Sequence, residues 1–292
     1  MAAARASLAL LFLLAVASGC ATGRPPAATP LAAEEPLAVI DAHVHTNFDG
    51  KLDPASKVLD TREGLAAEMK QNHVVGAVSM NHPSDAFLDL SSLHVIDCIG
   101  IDGVVDAEKL ESALASGCYR CIKIYLGYVH QYAFDPAYEP AYRLAEKFNV
   151  PVVFHTGDTY SRKAKLKYAD PLTVDEVAVD HPNVTFVIAH AGNPWIESAA
   201  EVAYKNPNVV LDGSAFLVGD LESMSPETVE TYLVAPLRWI FGYVDDPKKL
   251  MFGTDWPLTR IEPYLRAFKQ AIPREHWRAV FHDNAARVYG FQ

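Results

Sequence analysis

The chain has 292 residues, half of them hydrophobic, and a formal net charge of −11. An acidic chain without basic runs is unsuited to binding nucleic acid, because that binding depends on neutralising phosphates. The hydrophobic content is high enough for a sizeable core.

The N-terminus has the features of an export signal. Residues 8–17 form an apolar run that is too short to span a bilayer, which needs about 20 residues, but that suits a signal peptide. The run ends in Ala17-Ser18-Gly19-Cys20, which resembles the lipobox of bacterial lipoproteins. We therefore predict a signal peptide over residues 1–19 and a membrane-anchored lipoprotein of the periplasm or outer membrane, attached to the membrane through Cys20 alone. The alternative is an ordinary secretory signal and a soluble periplasmic or secreted protein.

Residues 20–35 are rich in Pro and Ala and predict an extended tether. Residues 36–292 are close in length to the ~250 residues of a single α/β barrel. In this part, short apolar runs alternate with amphipathic helical stretches. The predicted strands are residues 37–43, 74–79, 93–98, 121–126, 152–155, 185–190, 209–212 and 249–253. Continuous apolar runs such as VVF and FVIA are typical of parallel strands that are buried on both faces.

Two of the intervening helices have clear boundaries. Residues 140–148 carry apolar side chains at helical spacing and stop at Asn149, before Pro151. Asn193 and Pro194 predict an N-cap and first helical position for a helix over residues 195–204. Asn284 is expected to cap the last helix. Eight strand–helix units fit either a closed barrel or a doubly wound open sheet, and the pattern alone does not choose between them.

The first strand ends in Ile40-Asp41-Ala42-His43-Val44-His45. Residues two apart in a strand point to the same face, so the imidazoles of His43 and His45 project together and can share one metal ion. A His-x-His pair arises by chance in many proteins. Its position at the end of the first apolar strand strengthens the interpretation as a metal site.

Further polar residues follow other strands. His155 ends the strand PVVFH, His190 ends TFVIAH, and Asp255 lies just past the last strand. A single strand-end His is more often a hydrogen-bonded polar group than a ligand, and a single Asp before Trp-Pro is more often a turn residue. Together, however, these residues occupy the strand ends where barrel active sites are built, and they form a metal-ligand set.

The proposed ligands also favour one topology. His43 and His45 lie on the first strand and Asp255 follows the eighth, so they can share one ion only if those strands are neighbours. A closed barrel guarantees this arrangement. We therefore predict a single-domain (β/α)₈ TIM barrel.

The segments IDAHVH, CIKIY, VVFHTGD, VIAHAGNPW, MFGTDWP and NAARVYGF resemble the amidohydrolase superfamily. The similarity is to its amidohydrolase-related branch, which includes enzymes like aminocarboxymuconate semialdehyde decarboxylase, and it covers residues 38–290. The resemblance implies that His43, His45, His155 and Asp255 bind a metal ion. It further implies that Asp255 carries a proton and that His190 is a catalytic base or electrophile.

Lys123 lies on the predicted fourth strand, where binuclear members of the superfamily carry a carbamylated lysine that bridges two metals. The related branch generally has one metal, so we expect one divalent ion, zinc or alternatively manganese, and an unmodified Lys123 that binds a substrate carboxylate or carbonyl. The loop 159–168 is locally basic, which indicates either a solvated loop or an electrostatic funnel for an anionic substrate. We name Arg162 and Lys165 as candidate substrate contacts, and Trp195 and Trp256 as candidate pocket walls.

These expectations describe a metal-dependent hydrolase that cleaves a C–N or C–O bond of a small, anionic substrate. Non-oxidative decarboxylation of an unsaturated or aromatic acid is the first alternative, and a non-catalytic binding lipoprotein is the second. A second copy of the chain, as a homodimer, is a further candidate partner.

Three cysteines remain after Cys20 is assigned to the lipobox: Cys98, Cys118 and Cys121. We expect Cys118 and Cys121 to be buried thiols rather than metal ligands.

Overall fold

The computed structural model of the protein describes residues 36–80, 82–85 and 87–291. The predicted signal peptide, Cys20 and the tether lie outside these residues. Pro36–Gln292 form one compact unit. Within the described part of the chain, no helix has both the length and the apolar character needed to cross a membrane.

Eight parallel strands form one sheet, in which each strand pairs with the next one along the chain. All of them overlap the predicted strands, whose continuous apolar runs are buried on both faces. The strands are β1 (Val39–Val44), β2 (Val74–Met80), β3 (Val95–Ile101), β4 (Tyr119–Ile124), β5 (Val152–Phe154), β6 (Phe186–Ile188), β7 (Val209–Asp212) and β8 (Leu250–Met251).

Helices connect the strands and pack around the sheet. They are α1 (Arg62–Gln71), α2 (Ala107–Ala115), α3 (Glu139–Phe148), α4 (Thr173–Asp180), α5 (Ile196–Lys205), α6 (Pro226–Val229), α7 (Ala235–Val244), α8 (Ile261–Ala271) and α9 (Asn284–Tyr289). The predicted helix over residues 140–148 is confirmed as α3, which ends at Asn149 in the left-handed region (φ 51°).

Two helix-boundary predictions are wrong. Helix α5 begins at Ile196 with Trp195 at its N-cap position, so Asn193 does not cap it. Asn284 does not cap α9 either, because its side-chain amide donates to the carbonyls of Pro247 and Leu250. This amide ties the last helix to the start of β8.

The sheet closes into a barrel between β8 and β1. Strand β8 is only two residues long, and the segment that follows it makes the contacts with β1. Ala42 N–H donates to Phe252 O (2.9 Å), Asp255 N–H to His43 O (2.8 Å) and His45 N–H to Trp256 O (2.7 Å). The closed-barrel prediction is therefore confirmed, and the same hydrogen bonds place Asp255 directly beside His43.

Two apolar clusters stabilise this architecture. One lies between the sheet and the helices, and the other comprises side chains such as Ile40, Val78, Val153 and Met251 on alternate positions of the strands. Tyr289 of α9 joins the second cluster. The barrel interior is thus a packed core, which leaves the carboxyl ends of the strands to form a site.

The cysteine prediction is also wrong. The register of β3 and β4 sets Cys98 opposite Cys121, and the two residues form a disulfide inside the barrel. Cys118 is a free cysteine, and it is exposed rather than buried. An odd cysteine count argued against a full disulfide framework, but it did not exclude a single bridge between neighbouring strands.

Candidate active site

A cavity of 420 Å³ lies at the carboxyl ends of the strands. It is lined by the polar residues predicted for the site, together with aromatic and apolar residues from the loops that follow the strands. The lining includes His43, His45, His82, Lys123, Tyr125, Tyr128, His155, Asp158, Tyr160, His190, Asn193, Phe216, Leu217, Asp255 and Leu258. The barrel ends therefore bring together side chains that are more than 200 residues apart in the sequence.

His43 and His45 both approach the same carboxylate oxygen. Nε2 of His43 lies 3.4 Å from Asp255 Oδ1, and Nε2 of His45 lies 3.0 Å from it. His43 is fully buried, whereas the side chain of His45 is 30% exposed at the cavity. Asp255 holds its position in the left-handed region (φ 67°), a conformation that Asp tolerates better than most residues.

Asp212 at the end of β7 orients His43. Its Oδ2 accepts a hydrogen bond from His43 Nδ1 at 2.5 Å, and its Oδ1 accepts one from Ser214 N–H at 2.9 Å. A proton on Nδ1 leaves the lone pair of Nε2 free toward Asp255, as a metal-binding imidazole requires. Sequence reasoning missed Asp212, although it stands at the end of a predicted strand, as the other site residues do.

His155 and His190 lie next to each other. Nε2 of His155 donates to Asp158 O (2.9 Å), and its Nδ1 lies 3.2 Å from Nε2 of His190. Nδ1 of His190 lies 2.9 Å from the Ser214 hydroxyl. His190 occupies a turn just after β6 with φ 59°, so it is not the last residue of that strand as expected. The turn aims its ring at the cavity.

Asp41 secures the junction between β1 and the segment after β8. Its carboxylate accepts hydrogen bonds from Thr254 N–H (3.0 Å) and Thr254 Oγ1 (2.6 Å), and also from His43 N–H (3.1 Å). Burial raises the pKa of Asp41 to about 7, although these hydrogen bonds oppose the change. Asp41 thus acts on the backbone that carries His43 and Asp255, rather than on a substrate.

Lys123 of β4 is completely buried in the floor of the cavity. Its Nζ lies 5.2 Å from the centre of the Tyr125 ring and has no hydrogen-bond partner among the described residues. Burial lowers the pKa of Lys123 to about 8, and the nearby carboxylates of Asp212 and Asp255 oppose that change. An ammonium group in this position needs an acceptor, which a bound ligand can provide.

The electrostatics of the imidazoles also suit a metal. Burial keeps the pKa of His43 and His155 well below the usual value and lowers that of His190 to about 3, so these rings are neutral. Burial would raise the pKa of Asp255, but the hydrogen bond from His45 and the interactions with the surrounding imidazoles outweigh burial and hold that pKa well below its usual range. Neutral imidazoles and an ionised carboxylate are the forms that bind divalent metals.

The arrangement of the donor atoms meets the same requirement. The ligand atoms of His43, His190 and Asp255 all lie within 4.8 Å of one another, and all three side chains are buried. Among the described residues His43 Nε2 is buried without a hydrogen-bond partner, and the buried Asp255 Oδ1 has His45 Nε2 3.0 Å away. A cation between His43 Nε2 and Asp255 Oδ1 would interact favourably with both atoms, so the residues fit a divalent metal ion. His190 therefore belongs to the group of nearest donor atoms, whereas the sequence analysis expected His45 and His155 to accompany His43 and Asp255.

The remaining predicted contacts do not line the cavity. Arg162 and Lys165 are exposed on the loop after β5. Trp256 is fully buried, and its indole N–H donates to Glu68 of α1 (3.3 Å), so it packs inside the protein. Trp195 is partly buried at the start of α5 and is not among the lining residues. Tyr160 of the loop after β5 does line the cavity, so the loop itself reaches the site.

Tyrosines form the wall instead. The Tyr125 ring stacks on His155 with centroids 6.5 Å apart, and the Tyr128 ring meets the same imidazole edge-on at 4.9 Å. The Tyr125 hydroxyl donates to Met80 O (2.7 Å), and the Tyr128 hydroxyl accepts from Tyr160 N–H (3.0 Å). Sequence reasoning missed these residues, because nothing in the pattern of a loop shows which of its aromatic residues turn toward a site.

Several solved structures share the fold. A probable 2-pyrone-4,6-dicarboxylic acid hydrolase from Acinetobacter baumannii, solved with citric acid bound, is 17% identical with a TM-score of 0.61; the match covers 88% of this chain and 100% of that chain. A 5-carboxyvanillate decarboxylase from Sphingomonas paucimobilis is 13% identical with a TM-score of 0.59, covering 88% and 99%. An amidohydrolase from Burkholderia multivorans with bound zinc is 17% identical with a TM-score of 0.60, covering 87% and 100%.

At these identities the structural matches establish the fold alone. No curated protein has a significantly similar sequence. The sequence model of the family described as amidohydrolase, however, matches residues 98–291, which is most of the chain and includes Lys123, His155, His190 and Asp255. The chain therefore belongs to the amidohydrolase family.

Proposed function

We propose that the protein is a metal-dependent hydrolase that cleaves a C–N or C–O bond of a small substrate. The observation that carries the proposal is the convergence of two buried ligand atoms, His43 Nε2 and Asp255 Oδ1, beside His190 in one cavity. Family membership supports a metal-dependent hydrolase or decarboxylase.

His43, His45, His155 and Asp255 would hold one divalent ion, and zinc is the ion we propose, with manganese as the alternative. The zinc in the structure of the Burkholderia amidohydrolase supports this choice. Such an ion lowers the pKa of a bound water molecule toward about 7 and polarises a carbonyl. We place no second metal at Lys123, which we take to be unmodified.

Asp255 is the proposed proton carrier. Its carboxylate is ionised and borders the cavity, so it can accept a proton from the attacking water and return it to the leaving group. His190 would donate a hydrogen bond to the oxyanion that develops on the substrate, with Ser214 fixing the ring through Nδ1. Lys123 would bind a substrate carboxylate or carbonyl, since its buried ammonium lines the same cavity as His190 and Asp255.

Decarboxylation of a small unsaturated or aromatic acid is the second candidate. Lys123 favours it, because a buried ammonium without a partner suits a carboxylate held close to the ligands. The tyrosine wall of Tyr125 and Tyr128 would pack against a planar substrate. The same residues thus support either reaction, and the products distinguish the two.

The test combines metal analysis with an activity screen. Purified protein should contain one equivalent of a divalent metal, and a chelator should abolish turnover that zinc or manganese restores. The screen covers lactones, amides, esters and small carboxylic acids, with ¹⁸O-labelled water and carbon dioxide both measured. Incorporation of the label without carbon dioxide release supports hydrolysis, whereas carbon dioxide release identifies the decarboxylase. A metal-free protein, or one with two equivalents, contradicts the proposed centre.

We also propose that the protein is exported and anchored by a lipid on Cys20. The disulfide between Cys98 and Cys121 supports export, because such bonds persist in oxidising compartments and are rare in the cytosol. Metabolic labelling with a radioactive fatty acid should mark the wild-type chain and not a Cys20→Ser variant. Equal labelling of both chains would exclude an anchor at this cysteine.

A further inference from the structure

A second pocket adjoins the catalytic cavity on the side of the loop between β1 and α1. It has a volume of 390 Å³, and His45 and Leu258 line both spaces. We call this second space the acidic pocket; its other lining residues are Asn47, Asp49, Lys51, Leu52, Asp53, Pro54, Asp60 and Pro257. A ligand group in the acidic pocket would therefore be separated from the proposed metal centre by the side chain of His45.

Asp60 is the unusual residue of the acidic pocket. Only 6% of the residue is exposed, and its Oδ2 accepts a hydrogen bond from Asp49 N–H at 3.1 Å. Its Oδ1 is buried and has no hydrogen-bond partner in the described part of the chain. A buried carboxylate oxygen without a hydrogen-bond donor costs free energy, because no protein group replaces the hydrogen bonds that it makes with water in the unfolded chain. This oxygen therefore lacks a donor that a ligand could supply.

The protein itself does not supply the donor. Lys51 is the cation of the acidic pocket, and its Nζ is directed to Asp49 Oδ2 at 3.4 Å while the side chain stays 79% exposed. Oδ1 of Asp53 already accepts hydrogen bonds from the backbone N–H groups of Ala55 and Ser56. Carboxylates thus outnumber the ammonium group in this space, and the excess of negative charge favours a positively charged ligand group.

A metal ion is not the best occupant. Among the described residues, the acidic side chains of this pocket do not form a group whose ligand atoms are close enough to share an ion, as those of His43, His190 and Asp255 do. An organic cation is larger than a metal ion and donates hydrogen bonds in several directions. It can reach Asp60 without drawing the other carboxylates inward.

We propose that the acidic pocket is a substrate subsite that binds a primary ammonium group on Asp60. The inference rests on the proposed function, because it takes the neighbouring cavity to be the catalytic one. The substrate then carries a carbonyl or carboxylate beside Lys123 and an ammonium group at the other end, on the far side of His45. This substrate class is zwitterionic or cationic, rather than simply anionic as the sequence suggested.

The experiment compares ω-amino acids with the matching fatty acids. Calorimetry on the zinc-loaded wild-type protein measures the affinity for γ-aminobutyrate, δ-aminovalerate and ε-aminocaproate, and for butyrate, valerate and caproate. At least one amino acid should bind about tenfold more tightly than its fatty acid, since a charge-assisted hydrogen bond contributes about that much. No preference at any chain length would overturn the subsite, and this result needs no variant.

The Asp60→Asn variant then tests whether Asp60 is the origin of the preference for the ammonium group. The amide keeps the size of the side chain and an oxygen for Asp49 N–H, but it presents a donor where the ammonium would bind. The preference should disappear in this variant and persist in Asp89→Asn, an exposed aspartate on another loop. A preference that survives in Asp60→Asn excludes Asp60 as its origin. Melting temperature and zinc content show that the variant is folded and loaded.

The outcomes separate the subsite from the proposed function. An ammonium preference that depends on Asp60, in a protein without turnover on any substrate of the screen, supports the subsite and contradicts the hydrolase. Turnover without the preference supports the hydrolase and excludes the subsite. Zinc binding and turnover are measured apart from the amine preference, so a failure of the subsite can be told from a failure of the proposed function.

Discussion

The Nδ1 of His43 lies 2.5 Å from Oδ2 of Asp212, and this contact decides which nitrogen of His43 faces the cavity. Because the carboxylate accepts a hydrogen bond from Nδ1–H, the unprotonated Nε2 is directed toward Asp255 Oδ1. Burial raises the pKa of Asp212 to about 6, although the nearby His190, the hydrogen bond from Ser214 N–H and the Lys123 ammonium oppose the change, so the carboxylate is ionised at neutral pH. A residue that touches no substrate thereby sets up the proposed metal ligand.

Asp212→Asn should weaken metal binding by about 10–100-fold, because an amide holds the imidazole less firmly and can favour the wrong tautomer. The dissociation constant is measured by competition with a chromogenic chelator. The control is Asp106→Asn at the exposed N-cap of α2, where Asn caps as well as Asp. An unchanged metal affinity in Asp212→Asn would show that the contact with His43 is only structural.

Asp255→Asn should reduce kcat by at least about 10²-fold, the usual contribution of a proton-transfer group, and leave the fold intact. Asn tolerates the left-handed backbone of this position as well as Asp does, so the variant should melt near the wild-type temperature. Asp245→Asn is the matched control, since Asp245 has φ 51° at the end of α7 and lies outside the cavity lining. Substantial residual turnover in Asp255→Asn contradicts its role as proton carrier.

Variants of His155 and His190 decide which imidazole is a ligand. We expect His155→Asn to lose the metal and His190→Asn to retain about one equivalent while kcat falls by about 10²-fold or more. The opposite result would assign the ligand role to His190, whose ring nitrogen lies in the same group of donor atoms as those of His43 and Asp255. A His190→Asn protein without metal would make His190 the ligand, and metal retained in His155→Asn would remove that residue from the centre. Both are read from metal analysis together with kcat.

The disulfide between Cys98 and Cys121 closes a loop with a sequence separation of 23 residues, and Cys98→Ser should lower the free energy of unfolding by about 3 kcal/mol. Urea unfolding measures this change, and reductant should destabilise the wild type by a similar amount without affecting the variant. Cys118→Ser is the control, since Cys118 is exposed and unbonded. Free thiol titration that finds Cys98 and Cys121 reduced in protein purified without reductant would contradict the pairing.

Glu68 links α1 to the closure of the barrel, because its carboxylate accepts from Trp256 Nε1 (3.3 Å) and Ile261 N–H (2.8 Å). Glu68→Gln replaces one acceptor with a donor and should lower the free energy of unfolding by about 1–3 kcal/mol. Exposed Glu63 on the same helix provides the control variant, Glu63→Gln. Urea unfolding of all three proteins measures the difference.

The difference in unfolding free energy between the wild type and Glu68→Gln should depend on pH. Burial raises the pKa of Glu68 above its usual value, although its two hydrogen bonds oppose the change, so the folded state takes up a proton at a higher pH than the unfolded state does. Stability contributed by this proton is present at low pH and is lost as pH rises through the folded pKa. The advantage of wild type over Glu68→Gln should therefore grow as pH falls from 7 toward 5. A shrinking advantage would contradict the raised pKa.

Much of the fold was predictable from local patterns. The strand positions followed from continuous apolar runs, because a parallel strand buried on both faces needs apolar side chains on each. The barrel closure followed from chemistry rather than periodicity, since His43 and Asp255 could share an ion only if the first and last strands met. Helix starts were less certain, and Asn193 and Asn284 show why. Each has a side chain suited to capping, but Asn284 uses its amide in contacts with the segment before β8, and α5 begins only at Ile196, beyond the reach of Asn193 as its cap.

The sequence by itself determined which polar residues stand at the strand ends, and so it predicted the cluster of His43, His45, His155, His190 and Asp255. Only the tertiary structure decided how that cluster is supported and what surrounds it. Asp212 acts through a contact 169 residues away, and the tyrosine wall and the acidic pocket are formed by loops whose shape depends on their neighbours. The disulfide between Cys98 and Cys121 likewise required the register of two strands. Strand ends are set by local hydrophobic periodicity, whereas contacts between loops depend on how distant segments pack.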